Sequence, residues 1–134
     1  MPYKSQEIED FAIEAVIKYE GEKGWDAKDV SKNKKGYDVQ SKHRKTGKTK
    51  KIEVKGGAAD NKWSNVEVYK SAKEWLKKKK LWIYTVMNVE KAKNNDRHEL
   101  VNIYITEPHE LHFKPITNYK INNLNNTKPE KWRD

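Results

Sequence analysis

Gly36-Tyr37-Asp38-Val39-Gln40-Ser41 and Lys51-Ile52-Glu53-Val54-Lys55 are the two stretches that decide the fold. With a period of two, each is a short strand with alternating faces. Ile52 and Val54 point one way, toward a core, and Glu53 and Lys55 project together from the other side. Asp38 lies between Tyr37 and Val39 and projects opposite those apolar neighbours. The connection carries Lys45-Thr46-Gly47-Lys48, where Gly47 is available for a positive φ. A hairpin closed about Lys45 and Thr46 sets Asp38 opposite Glu53, whereas one closed about Thr46 and Gly47 sets it opposite Lys55. Either register gathers two carboxylates and one ammonium on one face, within about 5 to 8 Å.

Carboxylates on adjacent strands repel each other, so the fold gains nothing from them unless a cation sits between. Such a pair suits Mg²⁺ or Mn²⁺, which keep several waters and accept one or two protein carboxylates plus substrate phosphate. A lysine alongside can orient the attacking water and steady charge on phosphoryl oxygens. Asp38 and Glu53 are therefore the candidate metal ligands, and Lys55 the candidate catalytic lysine. A Glu-X-Lys triplet on a solvent-facing hairpin is common in lysine-rich chains, and it is the Asp38 spacing that sets this one apart.

A length of 134 residues implies one domain with a modest core. Charged residues make up 37% and hydrophobic ones 34%, which leaves a thin, surface-rich fold. Mean hydropathy is −1.18, and no apolar run approaches the ~20 residues of a spanning helix. Met1-Pro2-Tyr3-Lys4 lacks the apolar stretch of a secretory signal. The absence of cysteine excludes disulfides and thiolate metal sites. A soluble cytoplasmic protein, outside the membrane, is the expectation.

The net charge of +9 favours a polyanionic partner, of which nucleic acid is the commonest. The excess is almost all lysine, with arginine only at Arg44, Arg97 and Arg133. Lysine meets phosphate as a point charge, whereas bidentate reading of base edges favours arginine, so backbone contact is expected. The candidate contacts are Lys34, Lys35, Lys42, Arg44, Lys62, Trp63, Lys77 and Lys78, drawn from basic runs at 32–35, 42–51 and 77–80. Solubility alone is the competing reading of this charge.

Residues 5–20 are expected to form an amphipathic helix capped by Ser5, with Ile8, Phe11, Ala12, Ala15, Val16 and Tyr19 on one side. Glu9 and Glu20 flank that stripe, where a carboxylate can reach the sheet beneath, while Glu14 lies on the far side. Gly21 and Gly24 stop the helix. Trp25–Val30 reads as a strand, Ser31–Lys35 as a basic loop, and Gly56–Lys62 as a flexible loop beside the carboxylates. Trp63 suits either stacking on a base or anchoring the core. Val66 and Val68 suggest a strand, about Ser71 to Lys79 a helix, and Leu81–Met87 a central buried strand. Lys91–Arg97 reads as a charged loop, Leu100–Ile105 as a strand, and Leu111 with Phe113 as an edge strand. Residues 1–119 thus make one domain, and the Asn-rich stretch 120–134 an irregular tail. His109 and His112 have no third ligand beside them, and His43 and His98 are lone loop residues.

The order helix, strand, Gly-Tyr-Asp strand, Ile-Glu-Val-Lys-Gly strand, helix, strand resembles the PD-(D/E)XK nuclease superfamily. Asp38 would be its motif aspartate and Glu53-Val54-Lys55 its second half. A narrower resemblance is to the NO VEIN carboxy-terminal domain family, often attached to helicases and restriction-type defence proteins. It is carried by Ile8-Glu9, Ala12, Glu14-Ala15-Val16, Tyr19-Glu20, Asp29-Val30-Ser31, Gly36-Tyr37-Asp38, Ile52-Glu53-Val54-Lys55-Gly56 and Glu74-Trp75, and covers roughly residues 5–106. The superfamily resemblance implies an α/β fold, a restriction-endonuclease-like mixed β-sheet of about four to five strands flanked by helices. It also implies a divalent metal held by Asp38 and Glu53, and phosphodiester hydrolysis, with a helix carboxylate (Glu9 first, Glu20 next) completing the site. The substrate would be DNA, or else RNA, with a second copy or a partner subunit of a defence complex helping to position it. The rival is a non-catalytic nucleic-acid-binding or interaction module of the same fold. Tyr37 stands where the superfamily's name-giving proline would precede Asp38.

Overall fold

The apolar stripe of the first segment winds into α1 (Ser5–Glu22), and Ile8, Phe11, Ala12, Ile13, Ala15, Val16 and Tyr19 are buried along it. The computed structural model describes residues 3–33, 35–61, 63–68, 70–111, 113–115 and 119–132. Lys4, not Ser5, is the N-cap, because Glu7 Oε1 reaches back to accept the Lys4 N–H at 3.2 Å. An acid in the first turn also suits the helix dipole. The helix runs through Gly21 before it ends.

The sequence pattern of alternating strands gives a five-stranded mixed sheet. It contains β1 (Trp25–Asp29), β2 (Val39–His43), β3 (Thr49–Gly56), β5 (Leu81–Met87) and β6 (Asn102–Thr106), ordered β1-β2-β3-β5-β6. Neighbours are antiparallel except β3 and β5, which run parallel. A parallel pair needs a crossover, and β4 (Val66–Val68) and α2 (Lys73–Lys77) lie on it. β4 joins a second sheet, β4-β8-β7, with β7 (Phe113–Pro115) and β8 (Tyr119–Ile121). The class is α/β, a mixed sheet flanked by helices, as expected.

The central sheet is buried on both faces. Val39, Ile52, Val54, Tyr84 and Val86 pack against α1, while Leu81 and Ile83 pack against Val66, Val68, Ala72 and Leu76 on the other side. Gly56, at the end of β3, meets α1 closely enough that a Cβ there would stand 2.9 Å from Ala12 Cβ. That contact brings the first turns of the helix down onto the end of β3.

Several segments differ from their sequence expectation. Lys91–Arg97 is not simply a charged loop, since α3 (Val89–Asn94) occupies its first half. Val89 and Ala92, three apart, are both fully buried and supply the apolar face that the lysines mask. The stretch after residue 119 is not only an irregular tail, because β8 pairs with both β4 and β7. Ile121 and Leu124 are buried there, and Trp132 lies edge-on to Tyr19 at 5.7 Å. Three apolar residues spread over an Asn-rich stretch have no period, so only tertiary partners reveal them. The expected helix from Ser71 is shorter, entering through a 3₁₀ turn at Lys70–Ala72. It leaves by Lys79 N–H to Leu76 O (3.1 Å) and Lys80 N–H to Trp75 O (2.9 Å), with Lys79 left-handed at φ 54°. This is the glycine-favouring Schellman close, here held by a lysine at a cost of about 1 kcal/mol. No helix among the described residues is long and apolar enough to cross a membrane.

Candidate functional site

β2 and β3 pair with Val39 opposite Ile52 and Ser41 opposite Lys50. One step further along the same register sets Asp38 opposite Glu53, so the structure takes the first of the two registers open to the hairpin. Backbone bonds fix the position, since Asp38 N–H donates to Ile52 O at 2.8 Å and Val54 N–H donates to Asp38 Oδ2 at 2.9 Å. Gly36, at φ 88°, packs on the Ser71 backbone where a side chain would clash, which sets the chain's entry to Asp38.

Asp38 and Glu53 are in direct contact through their carboxyl groups. Lys55 Nζ stands 3.3 Å from Glu53 Oε2. Glu9 comes from α1, and its Oε1 accepts the Gly56 N–H at 3.3 Å. Of the glutamates weighed on α1, Glu9 is thus the one that faces this cluster. Glu20 is fully buried at the other end of β3, and Glu14 bonds His98 at 3.2 Å on the surface. Glu9, Asp38, Glu53 and Lys55 share one cleft of about 540 Å³, with Lys32 and Asp10 also lining it. A second cavity of about 300 Å³ reaches Asp38 and Glu53 between Lys35, Tyr37 and Ser71.

The electrostatics follow from crowding. Burial, then the neighbouring Asp38 charge, pushes the Glu53 carboxyl up to about 8. Burial also raises Asp38, against the Val54 N–H that favours its ionised form. Glu9 is raised by burial too, against the Gly56 N–H and Lys55. Burial works against the Lys55 ammonium, yet Glu53, Glu9 and Asp38 overcome it and its pKa ends above the ordinary lysine value. Three carboxylates and one ammonium, all ionised, would leave two negative charges unmatched. With its pKa raised to about 8, the Glu53 carboxyl keeps its proton near neutral pH, which removes one of these charges. The donor set, hard carboxylate oxygens in contact at an open cleft, fits a divalent cation of the Mg²⁺ or Mn²⁺ kind. Glu9 reaches the edge of this cluster from α1, with its charge acting on Lys55 and Asp38.

Residues 8–103 match the model of the family described as Protein NO VEIN, C-terminal. The chain belongs to that family. No curated protein and no solved structure matches it. Every residue of the cluster in this NO VEIN C-terminal domain lies inside the matched range.

The expected nucleic-acid contacts are dispersed. Lys35 is exposed and borders the second cavity, Lys42 lies on β2, and Lys77 is exposed on α2. Arg44 is engaged with Asp26 (2.8 Å) and Gly21 O (3.1 Å), and Lys78 with Glu74 (2.7 Å). Trp63 is half-buried against the second core, which favours its anchoring role over stacking. Lys34 and Lys62 lie outside the described residues, as does His112. His109 does have companions, in its own turn, since Glu107 and Glu110 bring ligand atoms within 4.8 Å of it. All are exposed, and Glu110 is occupied capping the Glu107 N–H of that 3₁₀ turn. His98 stacks on Phe11 at 4.1 Å, and His43 Nδ1 accepts two backbone N–H groups of its turn. Lys32 is the cleft residue that sequence reading left within a run rather than naming. Its signal was its place just after Asp29-Val30-Ser31, where Asp29 Oδ1 accepts Ser31 N–H (2.9 Å) and fixes the turn.

Proposed function

We propose that this domain is a divalent-metal-dependent nuclease of PD-(D/E)XK type, hydrolysing phosphodiester bonds in nucleic acid, DNA before RNA, in the cytoplasm. The observation that carries the reading is the contact of Asp38 and Glu53 beside Lys55 on the wall of an open cleft. Perturbed carboxylates gathered in a cleft are where catalytic groups are found. Asp38 and Glu53 would hold Mg²⁺ or Mn²⁺, which when bound lowers the pKa of water and polarises a phosphoryl oxygen.

The chain's own residues do the rest. Lys55 is kept charged by its acidic neighbours, so it donates hydrogen bonds rather than taking the proton of water. It orients the water oxygen for in-line attack on phosphorus and steadies the non-bridging oxygens as charge builds. The new P–O bond forms as the bridging P–O bond opposite it breaks; the attacking water gives up a proton to solvent through the open cleft, and the departing oxygen takes one from solvent. Glu9, held by Gly56, faces Lys55 and keeps its ammonium in place. Lys32 and Lys35 flank the two openings, and Lys42 and Lys77 add to the positive surface around them. A second copy or a partner subunit of a defence complex would complete positioning on DNA.

The test is incubation of the purified protein with plasmid and single-stranded DNA in Mg²⁺, Mn²⁺ or EDTA. Metal-dependent cutting that disappears in Asp38→Ala and Lys55→Ala is the expected result. Binding of DNA without cutting would replace the enzyme with a binding module, and neither activity would leave an interaction domain.

A further inference from the structure

Away from the carboxylate cleft, a cavity of about 240 Å³ opens at the N-terminal ends of β3 and β5. It is lined by Thr49, Lys51, Lys79, Lys80, Trp82 and Pro108. Three lysines from two separate segments meet there with no acid in the lining. Among the described residues no ion pair joins any of the three to a carboxylate, although Lys78 next door is paired with Glu74 and Lys50 with Glu20. Lys51 Nζ lies 4.7 Å from the Trp75 ring centre and 5.9 Å from that of Tyr37, so aromatic faces share its desolvation.

Lysines after a helix often do no more than complement its dipole. Two features here exceed that role. Lys51 belongs to β3, so its place beside α2, with its ammonium over Trp75, does not follow from the run of lysines that ends that helix. Lys79 sits at φ 54°, where glycine is favoured, and a cation one residue earlier would serve the dipole equally well without that strain. Strained residues persist where their side chains are needed.

From these features we infer that Lys51, Lys79 and Lys80 form a second phosphate-holding subsite, which takes a backbone phosphate of the nucleic-acid strand engaged at Asp38 and Glu53. The inference rests on the nucleic-acid reading of the cleft. Lys51 and Glu53 project from the same face of β3 two residues apart, about 7 Å, which is comparable with the through-space separation of neighbouring phosphates on one strand. The cavity between Lys35, Tyr37 and Ser71 reaches the carboxylates, and Lys51 Nζ lies 5.9 Å from the ring of Tyr37 in its wall. A strand leaving the carboxylates this way meets Lys35, then Lys51, then Lys79 and Lys80. The subsite grips phosphate and reads no base, in keeping with lysine rather than arginine in all three places.

The test is fluorescence anisotropy of a labelled single-stranded oligonucleotide with the full chain, in EDTA so that nothing is cut, across a salt series. Lys79→Gly removes the charge while giving the left-handed turn its preferred residue, so the fold is retained. Lys51→Gln and Lys80→Gln accompany it, and Lys18→Gln on the exposed far side of α1 controls for lost charge in general. Each subsite variant is expected to bind several-fold more weakly, with the slope of log K against log salt reduced by about 0.7. Lys18→Gln should behave as the parent protein. Parent-like binding by Lys79→Gly, an equal loss in Lys18→Gln, or no binding by the parent protein would overturn the subsite. A protein that binds with these effects yet never cuts would retain the subsite and lose the nuclease. One that cuts in metal while Lys79→Gly binds normally would do the reverse.

Discussion

α1 and β3 meet at two polar centres, one at each end of the strand, and each combines a glutamate of the helix with a lysine of the strand. At the first, Glu20 is fully buried and accepts from Ser41 Oγ (2.9 Å), Tyr84 OH (2.8 Å) and Lys50 Nζ (3.1 and 3.3 Å). The Lys50 ammonium is enclosed by Trp25 at 4.1 Å, Trp82 at 4.8 Å and Tyr84 at 5.7 Å. At the second, Glu9, Asp38 and Glu53 share Lys55 at the wall of a cleft. The first centre has an acid, a cation and two hydroxyls, and its lone pairs are satisfied. The second has too much negative charge and too few donors, and it is open to solvent. A satisfied buried pair holds a helix on a sheet, whereas an unsatisfied open one stores a deficit that a ligand can relieve.

The largest effect that would break this contrast is on cutting. Asp38→Ala or Lys55→Ala should lower metal-dependent cleavage at least about 10²- to 10³-fold, as read on a supercoiled plasmid, while the circular dichroism spectrum stays that of the parent. Residual cutting near the parent rate would mean that the chemistry lies elsewhere.

Next comes stability at the closed centre. Glu20→Ala leaves the Lys50 ammonium enclosed without its counter-ion and should remove about 3–5 kcal/mol in urea melts. Were the loss no larger than that of an exposed substitution, the two centres would not differ in kind.

The pH dependence sharpens the contrast. The Glu53 carboxyl ordinarily titrates at 4.5 and lies near 8 in the fold, so the folded state holds the proton more tightly than the unfolded chain. Its stabilising contribution is therefore complete below about 4.5 and is lost as pH rises through about 8. Asp38 and Glu9, also raised, act in the same direction. In EDTA the melting temperature should fall across that interval, by an amount worth on the order of a few kcal/mol. Glu53→Gln should flatten the fall, and stabilisation by Mg²⁺ should grow with pH as the carboxylates ionise. A melting temperature that rises over the same interval would contradict the crowded-carboxylate picture.

The smallest effect is expected of Glu9→Gln. It keeps the bond to Gly56 N–H but removes a charge facing Lys55, and should slow cutting roughly tenfold, within the range seen for supporting residues. An effect as large as that of Asp38→Ala would promote Glu9 to a direct ligand.

Much of this was legible in the chain. Alternation in Tyr37–Ser41 and Lys51–Lys55 fixes which side chains share a face, and the register then needs only the turn. The continuous apolar run Leu81–Met87 marks the strand buried on both sides. Less legible was anything that depends on a partner distant in sequence. The Asn-rich stretch conceals Ile121 and Leu124 because isolated apolar residues have no period. Lys79 and Lys80 gain meaning only from Lys51, nearly thirty positions earlier. Arg44 looked like a free cation because nothing local reveals that Asp26 stands against it.

The sequence by itself determined the α/β class, the amphipathic helix, the strand faces and the pairing of Asp38 with Glu53 and Lys55 on one side of a hairpin. These rest on local backbone geometry, where periods of two and 3.6 leave little choice. The tertiary structure alone decided which glutamate of α1 faces the cluster. Glu9 and Glu20 flank the same helical stripe, and only the close approach of Ala12 to Gly56 puts Glu9 over the open end and buries Glu20 beneath Lys50. The reason is one of length. A helix laid along a strand offers a carboxylate at each end, and which end stays open depends on what the rest of the chain packs there.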